Sequence, residues 1–336
     1  MNIGFLPLRG GVRRLALCFF LSAVLTFWLL WPVYPHKHPD LTYGRLNTTT
    51  PSSPYAIATF LTEDTYQTSD DFYYIATRIL TYQLLHANET RCGRQIPFLI
   101  LVTNAVTQDK RTQLAQDGAQ VVLVEDVPLR WWIRTGVTRW KDQFTKLRLL
   151  EMTQYERVLF IDADTILTRP IDSIFDEPQS MSPFNTLFDR REEIHWDEEQ
   201  LPAQYVFAAR SDNALAGERD HPFPPEHRDI FSAGFWVAAP SHELFRYLLS
   251  VMRHYRRFDP TTMEQSLLNY AFRKRGPMPW QELDYRWSAT WPNVRDLEGG
   301  VATLHEKFWR AGPDELRQLW WELKEEMENY YQSVDD

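Results

Sequence analysis

Four short and nearly continuous apolar runs constrain the fold most: Tyr55–Leu61 (YAIATFL), Pro97–Val102 (PFLILV), Gln120–Val124 (QVVLV) and Arg157–Ile161 (RVLFI). Runs of this length, apolar at successive rather than alternate positions, describe strands buried on both faces. Between them, Phe72–Leu85 and Gln108–Ala115 read as helices. Lys141–Met152 also reads as a helix, with Phe144, Leu147 and Leu150 on roughly one face. Strands alternating with helices predict an α/β fold with a mostly parallel central sheet and helices on both faces. Right-handed crossovers align the carboxyl ends of such strands along one edge, where ligands of open α/β sheets bind. No GxGxxG follows the first run, so the common dinucleotide fingerprint is absent.

The pattern is looser after residue 176. Residues 176–204 are polar, acidic and expected to be irregular. Tyr205–Ala209, Gly234–Ala238 and Val301–Leu304 read as strands, and Glu243–Tyr255 and Thr262–Arg273 as helices. In Pro313–Tyr330, Leu316, Trp320, Leu323 and Met327 recur at three- and four-residue steps, which predicts a helix docked by that face.

The first 39 residues carry Arg9, Arg13, Arg14 and Lys37 and no acidic residue, so the remaining chain has a formal charge of −13. Such a field excludes broad nucleic-acid binding, which needs a basic surface to meet phosphates. Leu15–Trp31 is an uncharged, mostly apolar run ending at Pro32. Its length is near the short limit for a membrane-crossing helix. The three arginines before it favour a cytoplasmic amino end, and Phe27, Trp28 and Trp31 crowd the place where a signal peptide would be cut. The expected organisation is therefore a cytoplasmic tail 1–14, a signal anchor 15–34, a Pro- and Thr-rich stem 35–54, and a luminal domain 55–336. Sequons at Asn47 and Asn88 suit that placement. Cys92 is the one cysteine outside the apolar run, so no intrachain disulfide staples the domain. It is buried, free or paired with another chain, and the oligomeric state stays open.

The sharpest local feature is Asp162-Ala163-Asp164, placed where the fourth apolar run stops. In extended chain, residues two apart point to one side, so both carboxylates can approach one cation. Buried together without one, they would repel each other and lose hydration. A hard divalent cation accepts such oxygens together with those of a diphosphate. His305, after the last expected strand, offers an imidazole nitrogen to the same cation, and Lys307 offers charge to phosphate. Taken alone, His305 also fits a core or surface histidine, Lys146 a solvent-facing charge, and Tyr73 a half-buried core phenol.

The stretch Phe144–Leu147 through Tyr155–Thr165 resembles the glycogenin-like retaining glycosyltransferases, family 8. YAIATFLTED at 55–64, DFYYIATRIL at 71–80, FSAGFWV at 231–237 and EQSLLN at 264–269 extend the resemblance in order over residues 55–310. It implies a GT-A fold, a Rossmann-like nucleotide-binding half fused to an acceptor-binding region. It also implies a UDP-sugar donor, Mn²⁺ as the usual cation, and transfer with retention to a glycan acceptor. By the family pattern, Asp162 meets ribose and metal, Asp164 ligates metal, and Tyr73 lies near uracil or ribose. Lys146 reaches phosphate or sugar. Ser232 stands where the family has an Asn that touches the donor sugar. Glu264 stands at a family Asp, Gln265 matches a family Gln, and both are candidates for the far face of the sugar. Thr261 replaces a further family Asp. His305 and Lys307 resemble the family's His…Lys-Pro-Trp terminus, with shorter spacing and Phe308 in place of Pro.

Some fungal relatives of that family are Golgi N-acetylglucosaminyltransferases, so N-acetylglucosamine stands beside glucose, galactose and glucuronic acid among the expected sugars. Two rival readings remain. One is a non-catalytic luminal binding protein with the same fold, suggested by Ser232, Thr261 and the altered terminus. The other is a haloacid-dehalogenase-like phosphatase, which would place Asp-x-Asp after the first strand rather than the fourth. Residues 176–230, with His195 and Trp196, and the tryptophans Trp280, Trp287 and Trp291 are candidates for acceptor contact, or for loop and core roles.

Overall fold

The computed structural model describes residues 52–62, 71–134, 138–214 and 219–335. The expected tail, the anchor and the stem up to residue 51 lie outside them, as does Asn47. Among the described residues no helix is long and apolar enough to cross a membrane.

The first half folds as its apolar runs require. Strand β1 (Tyr55–Leu61) leads to α1 (Phe72–Leu85), β2 (Phe98–Val102), α2 (Gln108–Gln116) and β3 (Gln120–Leu123). Strand β4 (Arg157–Ile161) is followed by the short β5 (Thr165–Leu167). The second half supplies β6 (Phe207–Ser211), β7 (Phe231–Ala238), α3 (His242–Val251) and α4 (Met263–Ala271). It ends with β8 (Gln281–Glu282), β9 (Ala289–Thr290), β10 (Thr303–His305) and α5 (Asp314–Asp335). A seven-stranded sheet runs β8-β6-β7-β4-β1-β2-β3. β1 pairs parallel with β2 and β4, β2 with β3, and β6 with β8, whereas β7 runs antiparallel to both β4 and β6. The sheet is mixed and mostly parallel, as expected. A second, three-stranded sheet has the order β9-β10-β5.

All of β2 and nearly all of β1 and β4 are buried. One face of the sheet meets Phe144, Leu147, Leu150, Leu244, Leu248, Leu267 and Phe272. The other meets Leu80, Leu84, Leu114, Ile171 and Phe175. Helix starts are capped by side chains: Asp71 accepts from the Tyr74 amide, and Ser241 from the Leu244 amide. These bonds satisfy amides that the first turn leaves without partners.

One expected element differs in kind. The expected helix Lys141–Met152 is a 3-10 run, Thr138–Glu151. Phe144, Leu147 and Leu150, three apart, stack in one row at three residues per turn, so the apolar face survives the change of helix type. Residues 176–204 carry only short pieces, including a two-residue strand pair between Phe184–Asn185 and Gln204–Tyr205. The expected docking face of α5 is in place: Leu316, Trp320, Leu323 and Met327 are buried with Ala76 and Ile79 of α1. Cys92 is free and partly buried. Burial first, and Asp172 second, push its thiol up to about 12, so it stays protonated near neutrality.

Because Trp320 is 2% exposed and packs among Phe72, Trp309 and Trp321, Trp320→Ala should destabilise the fold by roughly 3–5 kcal/mol. Denaturant unfolding of the purified protein measures this. A loss below about 1 kcal/mol would mean that α5 lies outside the cooperative core.

Candidate active site

Two ladders assemble the site. β4 delivers Asp162 and Asp164 at its carboxyl end, beside antiparallel β7, and the Asp162 amide donates to the Gly234 carbonyl at 2.9 Å. The chain then enters β5, which pairs antiparallel with β10 so that His305 lies opposite Thr165. The Glu306 amide donates to the Asp164 carbonyl at 3.1 Å, closing that ladder. A histidine far along the sequence is thus fixed beside the paired carboxylates by backbone register. A Cβ at Gly234 would lie 2.5 Å from His305 Cε1 and 2.9 Å from Asp162 Oδ2. Only glycine lets these groups approach there. The local irregularity between β6 and β7, where Ala209 faces Trp236 but Ser211 faces Phe231, brings this part of β7 to the site.

His305 Nε2 lies 3.1 Å from Asp164 Oδ1 and 3.6 Å from Asp162 Oδ2. Ligand atoms of Asp162, Asp164 and His305 all fall within 4.8 Å of one another, which forms a cluster able to coordinate a divalent cation. His305 Nδ1 is buried without a hydrogen-bond partner. Lys146 Nζ donates to Asp162 Oδ1 at 2.6 Å and to Glu264 Oε1 at 2.9 Å. Lys307 Nζ lies 3.1 Å from Asp164 Oδ2. Glu264 Oε2 is buried with no partner. The residue before it, Met263, has φ 58°, a region that side-chain-bearing residues seldom occupy.

The charges hold each other in place. Burial penalises the Lys146 ammonium, but Asp162 and Glu264 outweigh that penalty and raise its pKa above the ordinary lysine value. Burial would push the Asp164 carboxyl up, yet Lys307 and His305 hold it well below the usual range. Burial would lower His305, but Asp164, and then Asp162, raise it above the ordinary histidine value. Glu264 is raised by burial, with Lys146 opposing.

A cavity of about 190 Å³ opens over this cluster, lined by Tyr73, Lys146, Asp162, Asp164, Glu264, Gln265, His305 and Lys307 among others. Of the singled-out site residues, Ser232 and Thr261 do not line this cavity, and Thr261 is exposed with its amide donating to Asp259. Ser232 is buried on β7, and its hydroxyl accepts from the Gly234 amide at 3.3 Å, so it braces the irregular strand rather than facing the cavity. Gln265 does both: it lines the cavity, accepts from the Ala233 amide at 3.0 Å, and donates to Asp212 at 2.9 Å. Tyr73 meets Trp309 edge-on at 5.2 Å. The acidic loop is a paired surface, with Arg257 donating to both Asp197 and Glu198, and Trp196 is fully out in solvent. Trp280 and Trp287 are core residues. Sequence reading did not single out Gly234 or Asp212. The small residues of FSAGFWV were the available sign of a close approach.

Two outcomes follow from this geometry. Gly234→Ala should weaken divalent-cation binding by about tenfold or more, read by titration calorimetry on protein that still unfolds cooperatively. Unchanged affinity would detach Gly234 from the cluster. In the metal-free protein His305 is raised and holds its proton, whereas a cation needs a neutral nitrogen. Cation affinity should therefore rise with pH, and the rise should continue above the range in which an ordinary histidine loses its proton. A pH-independent affinity with no proton release would exclude His305 as a ligand.

No family model matches the chain. It is 32% identical over 287 residues to the uncharacterized protein C4C3.09 of Schizosaccharomyces pombe, covering 78% of this chain and 74% of that one. It is 30% identical over 279 residues to the uncharacterized protein C5H10.12c of the same organism, covering 75% of this chain and 73% of that one. A shorter match reaches galactinol synthase 2 of Arabidopsis thaliana, 26% identical over 53% of this chain and 51% of the relative. Among solved structures, the glycosyltransferase GlyE of Streptococcus pneumoniae aligns with a TM-score of 0.49 at 15% identity, over 84% of this chain and 64% of that one. The chain belongs to the family of the two Schizosaccharomyces pombe proteins.

Proposed function

We propose that the protein transfers a sugar from a UDP-sugar to a glycan acceptor, with retention at the anomeric carbon and with a divalent cation, Mn²⁺ first among candidates. The observation that carries this reading is the buried cluster of Asp162, Asp164 and His305, flanked by Lys146 and Lys307 at the carboxyl edge of β4. The donor set fits a cation: two carboxylates, an imidazole, and a glycine where a Cβ would intrude. When bound, the cation supplies Lewis-acid neutralisation of the diphosphate that leaves with UDP.

The chain's own residues do the rest. Asp162, Asp164 and His305 hold the cation. Lys307, at the cluster's edge, and Lys146, beneath it, set positive charge toward donor phosphate and sugar. Tyr73 flanks the nucleotide. Glu264 Oε2, buried and without a partner, is an acceptor for a donor-sugar hydroxyl. Gln265 sits beside it on the far face of the sugar, and Ser232 supports the β7 backbone from behind. In the transfer, an acceptor oxygen bonds to the anomeric carbon and that carbon's bond to the diphosphate breaks. The bond pair leaves with UDP, and the acceptor proton passes to a diphosphate oxygen or solvent. Relatives named galactinol synthase 2 and, at 25% identity over 63% of this chain, glycogenin-1 of Caenorhabditis elegans support the reaction class. N-acetylglucosamine is the sugar we favour. The arginines before the expected anchor 15–34 support a single-pass Golgi protein with a luminal domain.

Purified protein with Mn²⁺ should hydrolyse or transfer from at least one member of a UDP-sugar panel. Asp164→Asn should lower that turnover by about a hundredfold or more while circular dichroism stays native. Turnover from a non-UDP donor alone would overturn the donor class. Wild-type rates in the folded variant would overturn the metal role, and UDP binding without turnover would favour the non-catalytic reading.

A further inference from the structure

The surface beyond the cavity carries an aromatic platform that the reacting centre does not use. Trp131 is 78% exposed and Tyr255 59% exposed. Their rings stack at 5.7 Å with an interplanar angle of 14°. With one face of Trp131 stacked on Tyr255, its outer face is presented to solvent as a flat apolar surface. Arg256, with φ 56°, holds its guanidinium 5.2 Å from the Tyr255 ring centre. A strained backbone and a large exposed indole both cost stability, and neither serves the core.

Beneath the surface, packed rings tie the platform to the wall of a second cleft. Tyr255 meets Trp132 at 6.0 Å, and Trp132 meets Phe258 at 5.3 Å. Phe258 lines a second cleft of about 390 Å³ together with Asp259, Thr262, Ser266 and Tyr270. Gln265 lines that cleft and also the cavity over Asp162 and Asp164. Cavity, cleft and aromatic platform thus lie in that order, the cleft mainly apolar with a few hydroxyls, amides and one carboxylate at its wall. Hydroxyls, a carboxylate and rings along one path match the mixed polar and CH-faced surface of a sugar chain.

We propose that this path binds an extended oligosaccharide acceptor, with a sugar distal to the reacting end stacked on Trp131. This rests on the transferase reading and adds a substrate class to it: a chain of several sugars rather than a free monosaccharide. The pyranose CH face lies on the indole, the cleft's polar groups bind ring hydroxyls, and the terminal hydroxyl reaches the cavity. Binding energy from the distal sugar is gained in the complex before chemistry, so it lowers KM and leaves kcat nearly constant.

The test uses the purified full chain with Mn²⁺, a responsive UDP-sugar, and ladders from monosaccharide to hexasaccharide built from glucose, mannose, galactose or N-acetylglucosamine. Wild type should prefer hexasaccharide over monosaccharide within at least one ladder. Trp131→Ala should reduce that preference about tenfold, through KM. Trp321→Ala, an exposed tryptophan on α5, should leave it intact. Equal use of long and short acceptors, or an unchanged preference in Trp131→Ala, overturns the inference. So does insertion of Trp131 into phosphatidylserine vesicles without any ladder preference, which would make the patch a membrane contact. Donor hydrolysis without acceptor reports the transferase reading separately. Should it be absent, tryptophan fluorescence of wild type against Trp131→Ala on the same ladders still decides the platform: hexasaccharide quenching lost in the variant supports it, and no difference overturns it.

Discussion

Everything at the site depends on the cancellation of buried charge. Asp162, Asp164 and Glu264 are carboxylates in or beside a low-dielectric interior, and Lys146, Lys307 and His305 are the groups that make their burial tolerable. Lys146 is only 3% exposed, so its two carboxylate partners are a condition of its being there at all. A buried ion network of this kind is weak evidence of stability. Its value is preorganisation: polar groups are already aimed before a charged ligand arrives.

The architecture around the cluster shows how that cancellation is achieved. The carboxylates come from a central strand whose neighbours run in opposite senses, parallel β1 on one side and antiparallel β7 on the other. The parallel neighbour leaves the carboxyl edge open to a ligand, and the antiparallel neighbour brings Gly234 close to Asp162. Helix α4 then clamps β7 from the sheet's face, with Asn269 bonding both backbone groups of Phe231 and Gln265 bonding the Ala233 amide. The same helix carries Glu264 to Lys146. Fold stability and site geometry share these residues, so substitutions on this helix report on both.

Much of this was legible in the sequence because burial on two faces leaves a strong mark. The runs at 55–61, 97–102, 120–124 and 157–161 needed no periodicity to be recognised as strands, and two acids at the end of the last could share a ligand only at a strand edge. The α5 docking face was equally plain from its three- and four-residue steps. Contacts set by long-range register left a fainter mark. Nothing local to His305 says that Thr165 is its strand neighbour; the family resemblance put the histidine at the metal and said nothing of that ladder. The 3-10 geometry of Thr138–Glu151 was hidden because a three-residue step satisfies both helix types. Ser232 was placed against the ligand by family position, whereas the irregular strand turns its hydroxyl back to the Gly234 amide.

The β5–β10 ladder has a temporal consequence. Asp162 and Asp164 are translated long before the strand that carries His305 and the lysine two residues beyond it. A nascent chain emerging from the ribosome therefore holds two carboxylates with no His305 imidazole beside them until the segment that carries β10 has been made. The centre therefore closes late in folding, when a short strand distant in sequence is fastened against β5.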